Sequence, residues 1–320
     1  MKKLCKLLWR VFIGVVLLLL LLWVGVTVLY WPYFSNSQAD FFIPGLMDGF
    51  VPQGFDYIAE DDTYLICGYM KDGTNSRVYV RESDGNTFYV ELCYEDGSNY
   101  DKHAGGLCWN DEYLYVSGDT GIDVFSLTEV LADQDPKMMG TIEVGYDTAY
   151  CSFYNGYLLL GNFYYPEAYE TPENQRITTP AGDNNTSLLV AFVEDETAEF
   201  GLNPKPVAAF STPDKVQGIC FTGENEIVLS TSWSINSSHL YFHDIDLERT
   251  GTVEVCDKDV PLYYLDSETL TKDVSAPPMS EELVYKDGRV YVMCESACMK
   301  YIFGNPIRGY RVFAYDADAA

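Results

Sequence analysis

Side chains suited to acid–base chemistry stand at three positions of this 320-residue chain: His103, Glu281 and Glu295. A histidine oriented by a carboxylate can act as a general base, and two carboxyl groups can act as acid and base in glycoside hydrolysis. No nucleophile accompanies His103. His239 and His243 lie four residues apart on a predicted strand, too far apart to share a metal ion, so we predict structural roles for both. No metal site and no complete catalytic set follow from these residues.

The segments that carry these residues form a repeat. Each of five segments contains an apolar strand, a polar turn, a second strand rich in Tyr, Val and Leu, and, after a variable loop, a third strand. The first strands lie in segments that begin at Pro52, His103, Thr148, Val216 and Ser280. The third strands begin at Ser76, Gly121, Thr186, Ser238 and Gly309. Each segment is therefore predicted to be an antiparallel β-meander.

Tight turns such as Asn155-Gly156 and Asp287-Gly288 separate the first two strands, and such turns favour residues that tolerate positive φ. Meanders repeated every 40 to 45 residues or so are typical of β-propellers, because an isolated meander cannot bury both of its faces. Amphipathic helical patterns are nearly absent after Tyr30, which disfavours an α/β-hydrolase or nucleotide-binding fold. We therefore predict an all-β fold, a five-bladed propeller.

The third and fourth segments are longer than the repeat. Their excess falls in residues 164–185 and 244–279, between predicted strands, and is interpreted as loop insertion. A sixth blade within 244–279 is the alternative, because the sequence PLYYLDSETLTKDV is itself strand-like. No blade-start motif precedes that stretch, so five blades are preferred.

The last segment ends after its third strand, because the chain ends at Ala320. Residues Asp40 to Leu46 precede the first segment and have no other strand to pair with. We predict that they supply the missing outer strand and close the ring, which removes two exposed strand edges.

Strand direction predicts where a binding site lies. In a propeller the inner strands begin, and the second strands end, at the same end of the axis, here called the site end. Convergent polar side chains flanked by aromatic rings form the kind of concave site that orients a small ligand. The candidate ligand-binding residues at this end are Gln53, Tyr69, His103, Asp119, Tyr150, Gln217, Trp233, Glu281 and Glu295. The alternative role for each is to hold neighbouring blades together.

The blade segments resemble those of bacterial exported propellers with YVTN- or NHL-like blades, and in particular membrane-anchored ones whose blades open with Gln-Gly and an apolar residue. The resemblance covers Asp40 to Ala320 and concerns blade construction, so it implies no catalytic residues. The WD dipeptides of WD40 propellers are missing. Glycoside hydrolases of similar shape carry an acid at three blade starts, whereas Gln53, Tyr150 and Gln217 occupy three of the five starts here.

An apolar run without charges extends from Val11 to Tyr30, about the 20 residues that a helix needs to cross a bilayer. Lys2, Lys3, Lys6 and Arg10 precede it, which predicts a cytoplasmic N-terminus. Bulky residues follow the run in place of a small-x-small cleavage site, so we predict a retained anchor. Trp23, Tyr30, Trp31 and Tyr33 are its predicted interfacial aromatic residues. The predicted organisation is a cytoplasmic segment 1–10, an anchor 11–30, a linker 31–39 and an extracytoplasmic propeller 40–320.

The predicted exported part is strongly acidic. The chain has 20 Lys+Arg and 48 Asp+Glu, and removing the four N-terminal basic residues leaves 16 against 48, a net charge of −32. Phosphate backbones would be repelled, so nucleic acid is not an expected partner. Solubility at a surface is the main interpretation of this charge. No Asp-x-Asp-x-Asp-Gly loop supports a calcium site.

Cys5 lies beside the anchor, and eight further cysteines lie outside it, mostly within apolar strand patterns. We expect mainly reduced, buried thiols. Cys294 and Cys298, predicted to lie in a loop, are the one pair for which a disulfide stays open.

The sequence favours a membrane-anchored binding or scaffolding propeller that recognises a peptide, a glycan or a partner protein. The alternative is an extracytoplasmic hydrolase of a glycan or lactone that uses His103 or Glu295. No cofactor is identifiable. The composition of the loop 164–185 cannot bury much surface, so we expect the loop to be mobile and to project over the site end. Because only residues 31–39 link the anchor to the start of the closing strand, we expect the opposite end to face the membrane and the site end to point outwards.

Overall fold

The computed structural model describes residues 2–118, 120–302 and 304–319. The chain begins with helix α1 (Lys2–Leu29), helix α2 (Trp31–Ser35) and strand β1 (Ser37–Phe42). Helix α1 is long and apolar enough to cross a membrane, and a signal sequence would pass the same criterion. The rest of the described chain is mainly strand.

Five sheets of four or more strands, antiparallel except for one strand pair in blade 3, follow one another around an axis, which confirms the five-bladed propeller. Blade 1 consists of β2 Phe50–Ile58, β3 Thr63–Met70, β4 Arg77–Arg81 and β5 Thr87–Glu91. Blade 2 consists of β6 Leu107–Asn110, β7 Tyr113–Ser117, β8 Gly121–Ser126 and, after helix α3 (Leu127–Leu131), β9 Gly140–Glu143. Blade 3 begins with β10 Tyr150–Tyr154 and β11 Tyr157–Gly161, continues after the short ribbon β12 Ile177–Thr178 and β13 Asn184–Asn185, and ends with β14 Ser187–Glu194 and β15 Leu202–Thr212.

The other two blades contain the end of the chain. Blade 4 begins with β16 Val216–Gly223, β17 Glu226–Thr231 and β18 Ser238–Asp244, and resumes, after the hairpin β19 Thr250–Val255 and β20 Lys258–Tyr264, with β21 Leu270–Ala276. Blade 5 consists of β22 Ser280–Lys286, β23 Arg289–Cys294, β24 Arg311–Asp316 and the N-terminal β1.

The second strand of each blade is buried on both faces because each blade packs between two others. Leu65 and Ile66 on β3 are adjacent in sequence, so their side chains point to opposite faces of the sheet, yet both are fully buried. The outer strand β5, at the edge of its blade, is partly exposed. This pattern explains why the apolar repeat is strongest in the second strands.

Strand β1 closes the ring, as predicted. It pairs antiparallel with β24, with Ser37 opposite Tyr315 and Phe42 opposite Arg311. The strand begins three residues before the predicted Asp40, and residues 43–46 form the turn beyond it. The edge of β24 is therefore covered by the N-terminal strand, in the way that ring closure requires.

The five-blade interpretation of 244–279 is confirmed within the described residues. Strands β19 and β20 form a hairpin that joins blade 3, where β20 runs parallel to β15. The second half of the strand-like stretch becomes β21, the outer strand of blade 4. The insertion therefore widens one blade and completes the next.

The N-terminal helix meets the propeller at the site end, so the predicted orientation is wrong. Tyr30 Oη hydrogen-bonds with Ser237 Oγ at 3.0 Å, just before β18 begins at that end. The Arg308 guanidinium, just before β24 begins, lies 5.2 Å from the centre of the Trp23 ring. Helix α1 therefore contacts the loop that leads into the third strand of blade 5, and Tyr30, just after α1, contacts the corresponding loop of blade 4.

Helix α2 causes this difference. It runs along the outer groove between blades 4 and 5 to the opposite end, where Asp316 N–H donates to the Asn36 carbonyl at 2.9 Å. Tyr33 is 1% exposed, and its ring stacks on that of Tyr315 at 5.9 Å. The linker 31–39 therefore runs along the side of the propeller, from the site end to the opposite end. The predicted interfacial role is wrong for Tyr30 and Tyr33, which pack against the propeller, whereas Trp23 and Trp31 are exposed.

The loop 164–185 projects over the site end, as predicted, but the argument that it buries little surface is wrong. Thr171, Gln175 and Thr179 are buried, and Thr171 Oγ1 donates to the Thr186 carbonyl at 2.6 Å. The ribbon of β12 and β13 and a short 3-10 turn at Glu173–Gln175 order its backbone. Hydrogen bonds, rather than apolar contacts, fix this polar loop against the propeller. The mobility of the loop stays a prediction.

All nine cysteines, including Cys294 and Cys298, are free in the structure, and most of them are buried, as expected. Burial raises the pKa of the Cys294 and Cys298 thiols, which keeps them protonated and unreactive.

Candidate functional site

A cavity of about 680 Å³ opens at the site end of the axis. Six of the nine predicted residues line it: Gln53, Tyr69, His103, Gln217, Trp233 and Glu295. They come from the starts of inner strands and from the chain just after the second strands, as strand direction requires. Their role in binding stays a prediction.

Three predicted site residues do not line this cavity. Tyr150 is fully buried in the apolar cluster between blades 3 and 4, so an aromatic ring at the start of an inner strand packs into the core here. Glu281 is 2% exposed and lies behind the wall. Asp119 lies outside the described residues.

Below the cavity, the Glu282 carboxylate joins the inner strands of four blades. Its Oε2 accepts hydrogen bonds from Phe55 N–H at 2.8 Å and Leu107 N–H at 3.1 Å, in blades 1 and 2. Its Oε1 accepts one from Cys151 N–H, in blade 3, at 2.9 Å. Burial raises the pKa of Glu282, and the three N–H donors oppose that rise. Of the two glutamates at this blade start, Glu282 therefore has the blade-holding role.

The glycines after the blade-start residues permit this arrangement. A Cβ added at Gly218 would lie 2.4 Å from Glu282 Cα, and one at Gly106 would lie 2.3 Å from Glu282 Oε1. The inner strands crowd together at the axis, so no side chain fits there. The Gln-Gly pattern of the blade starts thus has a packing cause.

A hydrogen-bonded chain through Gln53 links two of the three predicted acid–base residues, His103 and Glu295. His103 Nε2 donates to Gln53 Oε1 at 2.7 Å, because an amide oxygen can only accept. Gln53 Nε2 donates to Glu295 Oε2 at 2.9 Å and to the Pro52 carbonyl at 2.7 Å. The histidine therefore carries its proton on Nε2, and Gln53 fixes both partners in place across blades 1, 2 and 5.

Glu295 and Glu281 form a buried acidic pair. Burial raises the pKa of Glu295 to about 7, while the Gln53 hydrogen bond and the Lys300 charge oppose the rise. Burial, together with the nearby Glu295 and Glu282 carboxylates, raises the pKa of Glu281 well above its usual range. Glu281 Oε1 has no hydrogen-bond partner among the described residues. A carboxyl group that titrates near neutrality in a cavity wall can exchange a proton with a ligand.

The wall beside this pair is aromatic and basic. The Tyr69 ring stacks on that of His103 at 4.7 Å, and Tyr69 Oη accepts a hydrogen bond from Lys300 Nζ at 2.5 Å. The Lys300 ammonium also lies 5.2 Å from the centre of the Tyr301 ring. Lys300 is thus a cation that the cavity holds between two aromatic side chains.

The opposite wall is a cluster of aromatic rings from blades 3 and 4. Trp233 stacks on Tyr165 at 4.0 Å, with Phe163 and Tyr169 each 5.9 Å from it. Phe163, Tyr169 and Trp233 line the cavity. The loop 164–185 thus supplies Tyr165 and Tyr169 to the site and holds the Trp233 ring in a fixed plane.

The rest of the lining includes polar residues that the sequence analysis did not identify. Lys102 Nζ donates to Asp123 Oδ2 at 2.7 Å, and Tyr100 Oη donates to the same oxygen at 2.7 Å. Asn162, just after β11, donates to Gln175 Oε1 at 2.7 Å. Asn162 follows a second strand, so the repeat could have identified it as a site residue. Lys102 and Lys300 lie in irregular loops, and the repeat makes no prediction for their positions.

The other two histidines are structural in their contacts. His243 Nδ1 pairs with Thr269 Oγ1 at 2.9 Å, and burial lowers its pKa to about 4. His239 Nδ1 pairs with Asp273 Oδ1 at 2.7 Å on the surface. Across the part of the chain that the structure describes, no group of three or more His, Cys, Asp or Glu side chains is placed to hold a metal ion.

Comparisons with known proteins find distant structural similarity alone. No family model matches the chain, and no curated protein matches it. A putative oxidoreductase (glucose dehydrogenase) from Thermus thermophilus is 11% identical, with a TM-score of 0.47 over 87% of this chain and 99% of that one. Myxococcus xanthus glutaminyl cyclase is 14% identical, with a TM-score of 0.45 over 87% and 94%. PQQ-bound aldose sugar dehydrogenase from Streptomyces coelicolor is 9% identical, with a TM-score of 0.45 over 88% and 97%. Values this low carry no functional argument, and the resemblance to YVTN- or NHL-like propellers remains an interpretation.

Proposed function

We propose that this protein is a membrane-anchored receptor that binds a small polar ligand, of glycan type, in the site-end cavity. Segment 1–10 is cytoplasmic, helix α1 is retained in the membrane, and the propeller lies on the extracytoplasmic side. The basic residues before the apolar run and the bulky residues after it support this topology.

The observation that carries the proposal is the pairing of an aromatic wall with a polar wall across one cavity. Trp233, Phe163 and Tyr169 stand on one side, and the chain of His103, Gln53 and Glu295 forms part of the other. A sugar ring has an apolar C–H face that stacks on aromatic rings and hydroxyl groups that hydrogen-bond with His, Gln and Glu side chains. The cavity volume of about 680 Å³ falls within the usual range for small-molecule sites.

Titration of the full-length chain in detergent with bacterial cell-wall oligosaccharides tests the proposal, with tryptophan fluorescence as the readout for the unchanged chain and isothermal titration calorimetry as the readout for every variant. Binding should change the emission of Trp233. The Trp233→Ala variant should weaken binding at least about tenfold, equivalent to about 1.4 kcal/mol. Trp109→Phe is the matched control, because Trp109 donates to the Tyr57 carbonyl at 3.2 Å and is absent from the cavity lining. Oligosaccharide binding that is unchanged in Trp233→Ala would contradict the proposal. Binding of peptides but not of oligosaccharides would identify the ligand class as peptide instead of glycan.

A hydrolase of a glycan or lactone is the second candidate, and the pKa of Glu295 favours it. A carboxyl group with a pKa of about 7 is suited to donate a proton to a leaving group at neutral pH. Turnover of an oligosaccharide or lactone that Glu295→Gln and His103→Ala both abolish, while binding persists, would establish hydrolysis. Binding without turnover in the unchanged chain would leave the receptor function.

A further inference from the structure

Exposed apolar side chains surround the point where α1 meets the propeller. Phe42 is 61% exposed, Met47 75%, Met299 41% and Ile302 65%. The loops that carry them are joined, because Met299 N–H donates to the Leu46 carbonyl at 3.1 Å. We call this surface, formed by the described residues 42–47, 296–302 and 304–311, the blade 5 rim.

The charge of the blade 5 rim is opposite to that of the whole chain. Residues 296–311 contain Lys300, Arg308 and Arg311 and no acidic residue, whereas the chain as a whole has 48 Asp+Glu and 20 Lys+Arg. The Arg311 guanidinium lies 3.9 Å from the centre of the Phe42 ring, so cation and apolar side chain share one surface. Basic residues interleaved with exposed apolar ones suit the headgroup region of a bilayer with anionic lipids.

Across the site end, the loop 164–185 has the other sign. Its net charge is −3, from four acidic residues and one basic residue: Glu167, Glu170, Glu173, Asp183 and Arg176. An anionic membrane would repel that side of the propeller. The two sides of the cavity mouth therefore differ in their affinity for such a surface.

Ile302 also shows that the rim is built to expose an apolar side chain. Its φ is +51°, a conformation that β-branched residues rarely adopt, and its N–H donates to the Cys298 carbonyl at 2.8 Å. The turn thus holds a large apolar side chain outwards at a conformational cost, which burial in lipid would offset.

The occupant of the rim follows from the position of the anchor. The contact between Arg308 and Trp23 brings the rim beside the last two turns of α1, where the predicted membrane interface lies. We infer that the blade 5 rim rests on the outer leaflet of the bilayer that holds α1, so that the cavity opens at the membrane surface. The blade 3 side of the mouth, with loop 164–185, tilts away from the lipid. The inference rests on the proposed function in so far as α1 is a retained anchor. It favours a ligand at the membrane surface, such as a lipid-linked glycan.

Quenching of a site-directed fluorophore by lipids tests this orientation. The full-length chain, with Cys5→Ser to remove the exposed thiol, carries a label at Met47→Cys or Ile302→Cys in nanodiscs that contain nitroxide-labelled phospholipid. Glu224→Cys, in the exposed turn between β16 and β17 at the opposite end, is the matched control. The chain with Cys5→Ser alone measures labelling of the half-buried Cys93 and Cys256.

We expect strong quenching at positions 47 and 302 and none at 224. Replacing Arg311 by Gln should shift the balance between lipid-bound and free rim about fivefold in anionic nanodiscs and little in zwitterionic ones. Quenching at 224 instead would overturn the inference by reversing the orientation. No quenching at any of the three positions would overturn it too, and would leave the rim to a protein partner.

The proposed function is measured separately, because ligand binding by Trp233 fluorescence is carried out in detergent. Binding that persists while the quenching pattern is reversed would remove only the inference. Quenching as expected without any binding would remove only the proposed ligand.

Discussion

Replacing Glu282 by glutamine should destabilise the propeller by about 1 to 3 kcal/mol. The carboxylate accepts three backbone hydrogen bonds, two through Oε2 and one through Oε1. A glutamine keeps one accepting oxygen and turns an NH₂ group towards the third N–H donor. The buried N–H that is left without a partner costs about 1 to 3 kcal/mol.

Glu281 provides the control at the neighbouring position. It is as buried as Glu282, at 2% and 1% exposed, but its Oε1 has no hydrogen-bond partner among the described residues. Because Glu281 Oε1 accepts no hydrogen bond from the described residues and the Glu295 carboxyl group lies nearby, the neutral amide of Glu281→Gln should be tolerated within about 0.5 kcal/mol or stabilise the fold.

Urea unfolding of the full-length chain in detergent, followed by near-ultraviolet circular dichroism, measures both free energies of unfolding. The slope with denaturant should stay unchanged. Equal stability of the Glu282→Gln and Glu281→Gln variants would refute the assignment of Glu282 as the residue that joins the blades.

Three further outcomes are expected. The raised pKa of Glu295, about 7, means that the folded state binds more protons than the unfolded state between about pH 4.5 and pH 7. The contribution of Glu295 to stability is therefore full below about pH 4.5 and is lost as the pH rises through 7. Glu295→Gln should reduce the change of the unfolding free energy over this window by up to about 3 kcal/mol, and an unchanged pH profile would contradict the raised pKa. Gly218→Ala, whose Cβ would lie 2.4 Å from Glu282 Cα, should lower the unfolding free energy by about 1 to 3 kcal/mol, and a neutral effect in urea unfolding would show that the axis has spare room. Tyr33→Ala should release α2 and open it to limited proteolysis at a cost of about 3 kcal/mol, unlike Trp31→Ala at a side chain that is 60% exposed; equal protease resistance of the two variants would argue against the docking of α2.

The blades could be predicted from the sequence because their signals are local. Hairpin turns such as Asn155-Gly156 and the alternation of apolar residues depend on residues close together in the chain, and five repeats reinforce one another. The closing strand followed by elimination, since one strand lacked a partner. The start of β1 was misplaced by three residues because pairing, rather than composition, sets the end of a strand.

The candidate site could be predicted only as a region. Strand direction places Gln53, His103 and Glu295 at one end, and the structure brings them into one hydrogen-bonded chain. Tyr150 has the same position in its repeat but packs into the core, because whether a ring points to the axis or between blades depends on the neighbouring blade. Lys300 comes from an irregular loop whose path no repeat describes.

The sequence by itself determined the repeating strands, the ring closure and the apolar helix, because each depends on periodicity, turn chemistry or hydrophobicity along the chain. Only the tertiary structure decided which end of the propeller meets that helix. Tyr33 is buried in a groove that exists only once blades 4 and 5 are side by side, and this burial draws α2 back along the propeller. The linker was predicted to extend straight from the membrane to the opposite end of the propeller, but it starts at the site end and packs along the propeller. The apolar surface that it contacts is formed by residues more than two hundred positions away in the sequence.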